Sequence, residues 1–298
     1  MAMIPNFFIV GAAKSGTSSL YHYLRLHPDI HMSSIKEPHF LCSHHFPKQF
    51  TGPGDEGFSA SVVRNQADYL KLFEPPTPAS VLGEGSVYYL YYPDAAEKIQ
   101  VLNPNAKIVI LLRNPVERAF SAYMHTVRDG RETLSFEKAL EEEPKRKQNG
   151  YQPLWWYREI GLYSEQVQRY LERFPAGQIR IFLYEELQET PRLVKACLKF
   201  LGVDETVPID TSIRHNVSGV PKSRAIYNFF ARPNPLKNFI KPLFPENLAR
   251  KLGERAKGLT LKKDKIPGAV KADLQRYYKP DIQKLETLIE RDLSKWLA

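Results

Sequence analysis

The chain has 298 residues, 43% of them hydrophobic, with a formal net charge of +9 and two cysteines. Its length suffices for one large α/β core, and the basic excess points to an anionic partner: a phosphorylated nucleotide, an acidic glycan or nucleic acid. Cys42 and Cys197 lie far apart in sequence, which excludes a metal-ligand spacing between them and argues against a disulfide framework, and no apolar run has the length of a secretory signal or a bilayer crossing, so a soluble cytoplasmic protein is expected.

Along the chain, the first apolar run, Phe7 to Val10, reads as a buried strand. A helix over Thr17 to Leu26 follows and stops before His27-Pro28, and a short strand lies near Ile30. Further interior strands are expected at Val81 to Gly83, Lys107 to Leu112 and Gln178 to Leu183. Asn114-Pro115 supplies a cap and a first-turn proline for a helix through about Val127. Residues 141–152 are charged, end in Asn149-Gly150 and read as a solvated surface loop. Tyr163 to Phe174 and Pro191 to Leu201 repeat apolar residues at helical spacing, the latter stopped by Gly202. Residues 232–268, rich in proline and lysine, read as solvated surface or as a lid over an acceptor, and residues 281–297 as a final amphipathic helix. Strands alternating with helices over long connections predict a central parallel sheet with helices on both faces, and a ligand site at the carboxyl ends of the strands.

The strongest local signal is Gly11-Ala12-Ala13-Lys14-Ser15-Gly16-Thr17-Ser18-Ser19, set between a strand and a helix. Small residues let the backbone turn tightly and aim N–H groups at one spot, and the start of a helix favours an anion there. Lys14 adds a mobile charge, and Thr17 and Ser18 add hydroxyls. A nucleotide-triphosphate loop requires lysine directly after the second glycine, whereas here Thr17 follows Gly16. Strand 107–112 runs into Arg113, where a magnesium-dependent phosphoryl transferase usually carries an aspartate. A cation at that point suits a further phosphate.

Lys14-Ser15-Gly16-Thr17-Ser18 closely resembles the 5′-phosphosulfate loop of sulfotransferases that use 3′-phosphoadenosine 5′-phosphosulfate (PAPS). Leu112-Arg113-Asn114-Pro115-Val116-Glu117-Arg118-Ala119-Phe120-Ser121 is similar to their 3′-phosphate motif, an arginine followed eight residues later by serine. Ile181 to Leu187 and Phe200-Leu201-Gly202 are similar to the family's third strand region and the helix after it. The resemblance covers about residues 5–225 and implies a three-layer P-loop-like α/β fold over one domain, 1–298, with residues 226–298 as a helical, basic extension. It further implies that Tyr184 contacts the adenine and that Lys222-Ser223-Arg224, similar to a basic loop of heparan-type members, closes over the 3′-phosphate. From the residues alone, Arg113 at a strand end and Ser121 two turns into the next helix can both face one phosphate.

Sulfuryl transfer needs an aligned acceptor, a group to take its proton and positive charge at the leaving oxygen; none of these requires a metal. Lys14 fits the last role. Lys36-Glu37-Pro38-His39-Phe40 is similar to the K-E-P-x-F stretch of carbohydrate-type and bacterial members, which implies Glu37 as the base, with His39 as the alternative. Gly83 to Pro93 ends another strand, so Glu84 and Tyr88 are acceptor-site candidates with Lys36, while Trp155, Trp156 and Arg158 are more distant ones; the tyrosines read equally well as core. Heparan-type members carry a lysine where Gly85 stands, which puts one contact in doubt. The expected reaction is transfer from PAPS to a hydroxyl or amine of an unidentified acceptor, with no nucleic-acid or membrane partner; a nucleotide-dependent phosphoryl transferase is the alternative.

Overall fold

A computed structural model describes residues 3–74, 78–212 and 264–298, with the backbone of 220–221 and 261–262. Five strands form one parallel sheet: β1 (Phe7–Gly11), β2 (Ile30–Met32), β3 (Val81–Gly85), β4 (Lys107–Leu112) and β5 (Ile179–Leu183), in the order β2-β3-β1-β4-β5. β1 is central, paired with β3 through Phe7 and Gly83 and with β4 through Phe7 and Lys107. The first, middle and last strands expected from the sequence all fall within a residue or two of these bounds.

Alternation along the strands fills two cores at once. Phe8 and Val10 of β1, with Ile108, Ile110 and Leu112 of β4, face one layer, where α4 (Ala95–Leu102), α5 (Pro115–Arg128), α8 (Ser164–Arg173) and α10 (Gly268–Ile289) pack. Phe7 and Ile9, with Val109 and Leu111, face the opposite layer of α1 (Thr17–Leu24) and α9 (Thr190–Leu201). The remaining helices described, α2 (Glu56–Ser61), α3 (Gln66–Lys71), α6 (Phe136–Glu141) and α7 (Glu143–Gln148), are one to two turns long. The result is the expected three-layer P-loop-like arrangement. A separate antiparallel pair joins Val220–Pro221 to Leu261–Lys262.

Two expectations are corrected. Residues 141–152 are not a solvated loop: α7 occupies half of them, and its Glu143 and Arg146 are buried. Arg146 donates to Glu132 at 2.5 and 3.1 Å, and Glu143 accepts from the backbone N–H groups of Arg158 and Glu159 at 2.7 and 2.9 Å. The last helix starts at Gly268 rather than 281 and ends at Ile289, running through Pro280. Its buried Val270, Leu274, Tyr278, Ile282 and Leu285 form one stripe across that proline. Asp281 from this helix accepts from the N–H groups of Tyr163 and Ser164 at 2.7 and 3.1 Å, capping α8 from outside. Most of 232–268, and Lys222, Ser223 and Arg224, lie outside the described residues.

Candidate functional site

One cavity of about 1010 Å³ opens at the carboxyl ends of the strands. The β1–α1 loop forms its floor. Gly16 sits at φ 91°, and a Cβ there would come within 2.2 Å of Leu187, so this turn requires glycine. Gly16, Thr17 and Ser18 line the cavity, while Ser15 is fully buried against Tyr163. Lys14 projects into the cavity from a left-handed backbone, φ 69°. Its pKa falls from 10.5 to about 7, first because burial disfavours the charge and then because Arg128 stands nearby.

β4 delivers the second cation. Asn114 caps α5 by accepting from the N–H groups of Val116 and Glu117, which fixes the helix start directly after Arg113. The guanidinium donates to the carbonyl of Lys14 at 3.3 Å, to Glu117 at 3.1 Å, and lies 4.2 Å over the ring of Tyr184, which follows β5. Ser121, two turns along α5, also lines the cavity; its Oγ is buried and has no hydrogen-bond partner. A buried hydroxyl in that state, beside an arginine, is suited to an anionic oxygen.

The segment after β2 crosses the same opening. Glu37 anchors by donating its N–H to the carbonyl of Gly85 at 3.1 Å. Both Glu37 (φ 61°) and His39 (φ 53°) are left-handed, so three of the four non-glycine residues at positive φ among the described residues belong to this site. Such backbone costs on the order of 1 kcal/mol or more each and is kept where surrounding contacts over-determine it. Burial acts to raise the Glu37 carboxyl, but its ion pair with Lys36 and the nearby His39 outweigh that and hold it well below the ordinary carboxylate range. Glu37 is therefore ionised. His39 is fully buried, with Nε2 3.6 Å from Glu37 and its ring stacked on Tyr88 at 5.1 Å. Burial lowers its pKa, so it stands as a neutral ring behind Glu37.

Lys36 and Tyr88, two of the acceptor-site candidates, line the cavity; Glu84 does not. It is wholly buried, accepting from Tyr69 and Ser86 at 2.5 Å each, and burial raises its carboxyl from 4.5 to about 7 despite those bonds. Ser86 in turn accepts from the N–H of His39 at 3.0 Å, so Glu84 supports the Glu37–His39 segment through Ser86. Trp155 and Trp156 are buried, and Arg158 donates to the carbonyl of Leu140 at 2.8 Å; none of the three lines the opening. Gly85 has a physical reason: a Cβ there would meet Tyr21 at 3.0 Å.

Three contributors escaped the sequence reading. His125 accepts from Lys14 Nζ at 2.9 Å and from Arg128 at 3.1 Å on Nδ1, and its Nε2 lies 3.3 Å from Asp129, an arrangement that calls for the neutral Nε2–H tautomer. Its place one turn beyond Ser121 on α5 was the available clue. Arg131 also lines the cavity. Trp296, from the turn at 294–296, donates to Glu185 at 2.9 Å, and its carbonyl accepts from Asn114 at 3.2 Å, tying that turn to the start of α5 and to the segment after β5. No spacing rule reaches that far along a sequence.

The sulfotransferase domain family model matches residues 5–234. A crystal structure of a sulfotransferase from Alicyclobacillus acidocaldarius is 40% identical, covers 99% of this chain and 100% of that one, and superposes with a TM-score of 0.80. Mouse (Mus musculus) heparan sulfate glucosamine 3-O-sulfotransferase 3B1 is 27% identical over 205 residues, 68% of this chain and 47% of that protein. Human (Homo sapiens) heparan sulfate glucosamine 3-O-sulfotransferase 6 is 28% identical over 257 residues, 84% of this chain and 68% of that protein. The chain thus spans about half the length of the mouse relative. Among the described residues no helix is long and apolar enough to cross a membrane.

Proposed function

The chain belongs to the sulfotransferase domain family, and from that premise we propose that it moves a sulfuryl group from PAPS to a hydroxyl or amine of an acceptor, in the cytoplasm. Arg113 and Ser121 hold the 3′-phosphate, Tyr184 meets the adenine, and Lys14, Thr17, Ser18 and the loop N–H groups hold the 5′-phosphosulfate. Glu37 takes the acceptor proton as the acceptor oxygen or nitrogen attacks sulfur; the bond from sulfur to the 5′-phosphate oxygen breaks in line, and Lys14 meets the charge that develops there. The products are the sulfated acceptor and 3′-phosphoadenosine 5′-phosphate (PAP).

The observation that carries this reading is the pairing of Lys14 and Arg113 on neighbouring strand ends, bridged at 3.3 Å, beside a buried and unpartnered Ser121 hydroxyl. Two cations set apart on one wall fit a nucleotide phosphorylated at both ends, and the relatives named above are sulfotransferases, not phosphoryl transferases. His39, lacking access to the cavity, serves as the neutral neighbour that orients Glu37. Calorimetric titration with PAP tests the assignment. Lys14→Ala and Arg113→Ala should each weaken PAP binding by about 10- to 100-fold, the scale of a lost charge-assisted contact; unchanged affinity in both variants would remove the assignment.

A further inference from the structure

Resting on the sulfotransferase reading above, we propose that the acceptor is an uncharged alcohol carried on an apolar, aromatic body, not an anionic sugar chain. The cavity wall beyond Glu37 is built from Phe58, Val87, Tyr88 and Leu154. Phe58 and Tyr88 meet edge to face at 5.9 Å, and Tyr88 stacks on the His39 ring that stands 3.6 Å from Glu37. The aromatic surface therefore begins one ring away from the base, where an acceptor hydroxyl has to lie.

The polar groups on that wall are held by partners within the protein. Arg131 and Gln152 both line the cavity, yet Gln152 commits its donors to Asp55, a carboxylate with no solvent exposure, and Arg131 divides its own between Asp55 and the carbonyl of Pro53. Asp55 accepts from the Arg131 guanidinium, from the Gln152 N–H at 2.9 Å, from Gln152 Nε2 at 2.6 Å and from Trp155 Nε1 at 3.0 Å. Withdrawing any of these donors would leave a buried charge less satisfied, so they stay committed. Lys36 is paired with Glu37, Lys271 donates to the carbonyl of Ala298 at 3.0 Å, and Lys265 lines the cavity together with its sequence neighbour of opposite charge, Asp264. Among the described residues, the positive charge aimed into the cavity is thus concentrated at Lys14 and Arg113, on the nucleotide side. An anionic glycan needs forked or clustered cations along its own path; a flat apolar alcohol needs the surface that is there. In the step itself, the alcohol oxygen bonds to sulfur, its proton passes to Glu37, and the bond from sulfur to the 5′-phosphate oxygen breaks, giving a sulfate monoester and PAP.

The probe is 2-naphthol, titrated by its own fluorescence into the PAP-bound protein and assayed for sulfation with labelled PAPS, with heparan sulfate as the anionic comparator. The expected result is saturable binding of 2-naphthol and formation of its sulfate ester. Phe58→Ala should then raise KM for 2-naphthol about tenfold or more with PAP affinity unchanged. Leu154→Lys, which keeps every aromatic ring and places a charge on the half-buried wall, should do the same. Bound PAP with no 2-naphthol binding, or a 2-naphthol KM unmoved by both substitutions, overturns the acceptor class and leaves the transferase reading intact. Failure of the wild-type protein to bind PAP would remove the transferase reading itself, and this inference with it.

Discussion

The two ends of the cavity are constructed differently. At the nucleotide end, Lys14, Gly16, Thr17 and Ser18 are neighbours in sequence, and Arg113 and Ser121 lie eight residues apart on one strand–helix unit, so local geometry assembles each half and the β1–β4 pairing alone sets the two side by side. At the acceptor end, Glu37 is held by Gly85, His39 by Ser86, and Ser86 by Glu84, while Arg131 and Gln152 are drawn to Asp55 from about 76 and 97 residues away. A strand-end loop can carry a phosphate site as a portable unit. A base and an acceptor wall require the whole sheet to be in place first.

Substitution at Glu37 separates the two ends most sharply. Glu37→Gln keeps the shape and removes the proton acceptor, so turnover should fall by about 10² to 10⁴, the usual contribution of a general base, while PAP affinity holds within about twofold. Rapid-quench assays with labelled PAPS alongside PAP titration check both halves. Equal losses of turnover and PAP affinity would mean that the ends are not independent.

The support beneath the base has its own signature. Buried Glu84 keeps its proton to about pH 7 when folded, against 4.5 for the ordinary group. The folded state therefore binds the proton more tightly, and the resulting stability is complete at low pH and lost as pH rises from about 4.5 to 7, amounting to roughly 3 kcal/mol. Glu84→Gln should flatten that part of the stability profile measured by denaturant unfolding at successive pH values. An identical slope in the variant would show that Glu84 is not the titrating group.

At the nucleotide end the smallest of these effects is a proton count. Lys14 loses its proton near pH 7 in the free protein, and phosphate oxygens beside it restore the charge. PAP binding at pH 8 should then take up close to one proton, and affinity should fall by about tenfold per pH unit above 7. Calorimetry in buffers of different ionisation enthalpy reads the uptake directly, and zero uptake would place the ammonium outside the phosphate contact.

How far the sequence reaches follows the same division. Buried strands were legible because Phe7 to Val10 and Lys107 to Leu112 are short apolar runs closed by turn residues, and the start of α5 because Asn114-Pro115 is a capping pair. The last helix was misplaced because Pro280 reads as a stop, although the stripe from Val270 to Leu285 holds the helix together across it. The charged stretch at 141–152 read as solvated because the partners of Glu143 and Arg146, at Arg158, Glu159 and Glu132, are supplied by the fold. Glu84 was placed in the acceptor pocket because a polar residue at a strand end usually faces the ligand; Tyr69, Ser86 and Tyr89 gather it into the core instead. His125 and Trp296 carry no motif at all, only position.

A crystal structure of the PAP complex bears most directly on the claim that Lys14 and Arg113 grip opposite ends of one nucleotide. The account predicts the 5′-phosphate at Lys14 and the 3′-phosphate within about 3.2 Å of both the Arg113 guanidinium and the Ser121 hydroxyl. A 3′-phosphate bound elsewhere, with Arg113 still on Glu117 and the Ser121 hydroxyl still without a partner, would contradict it.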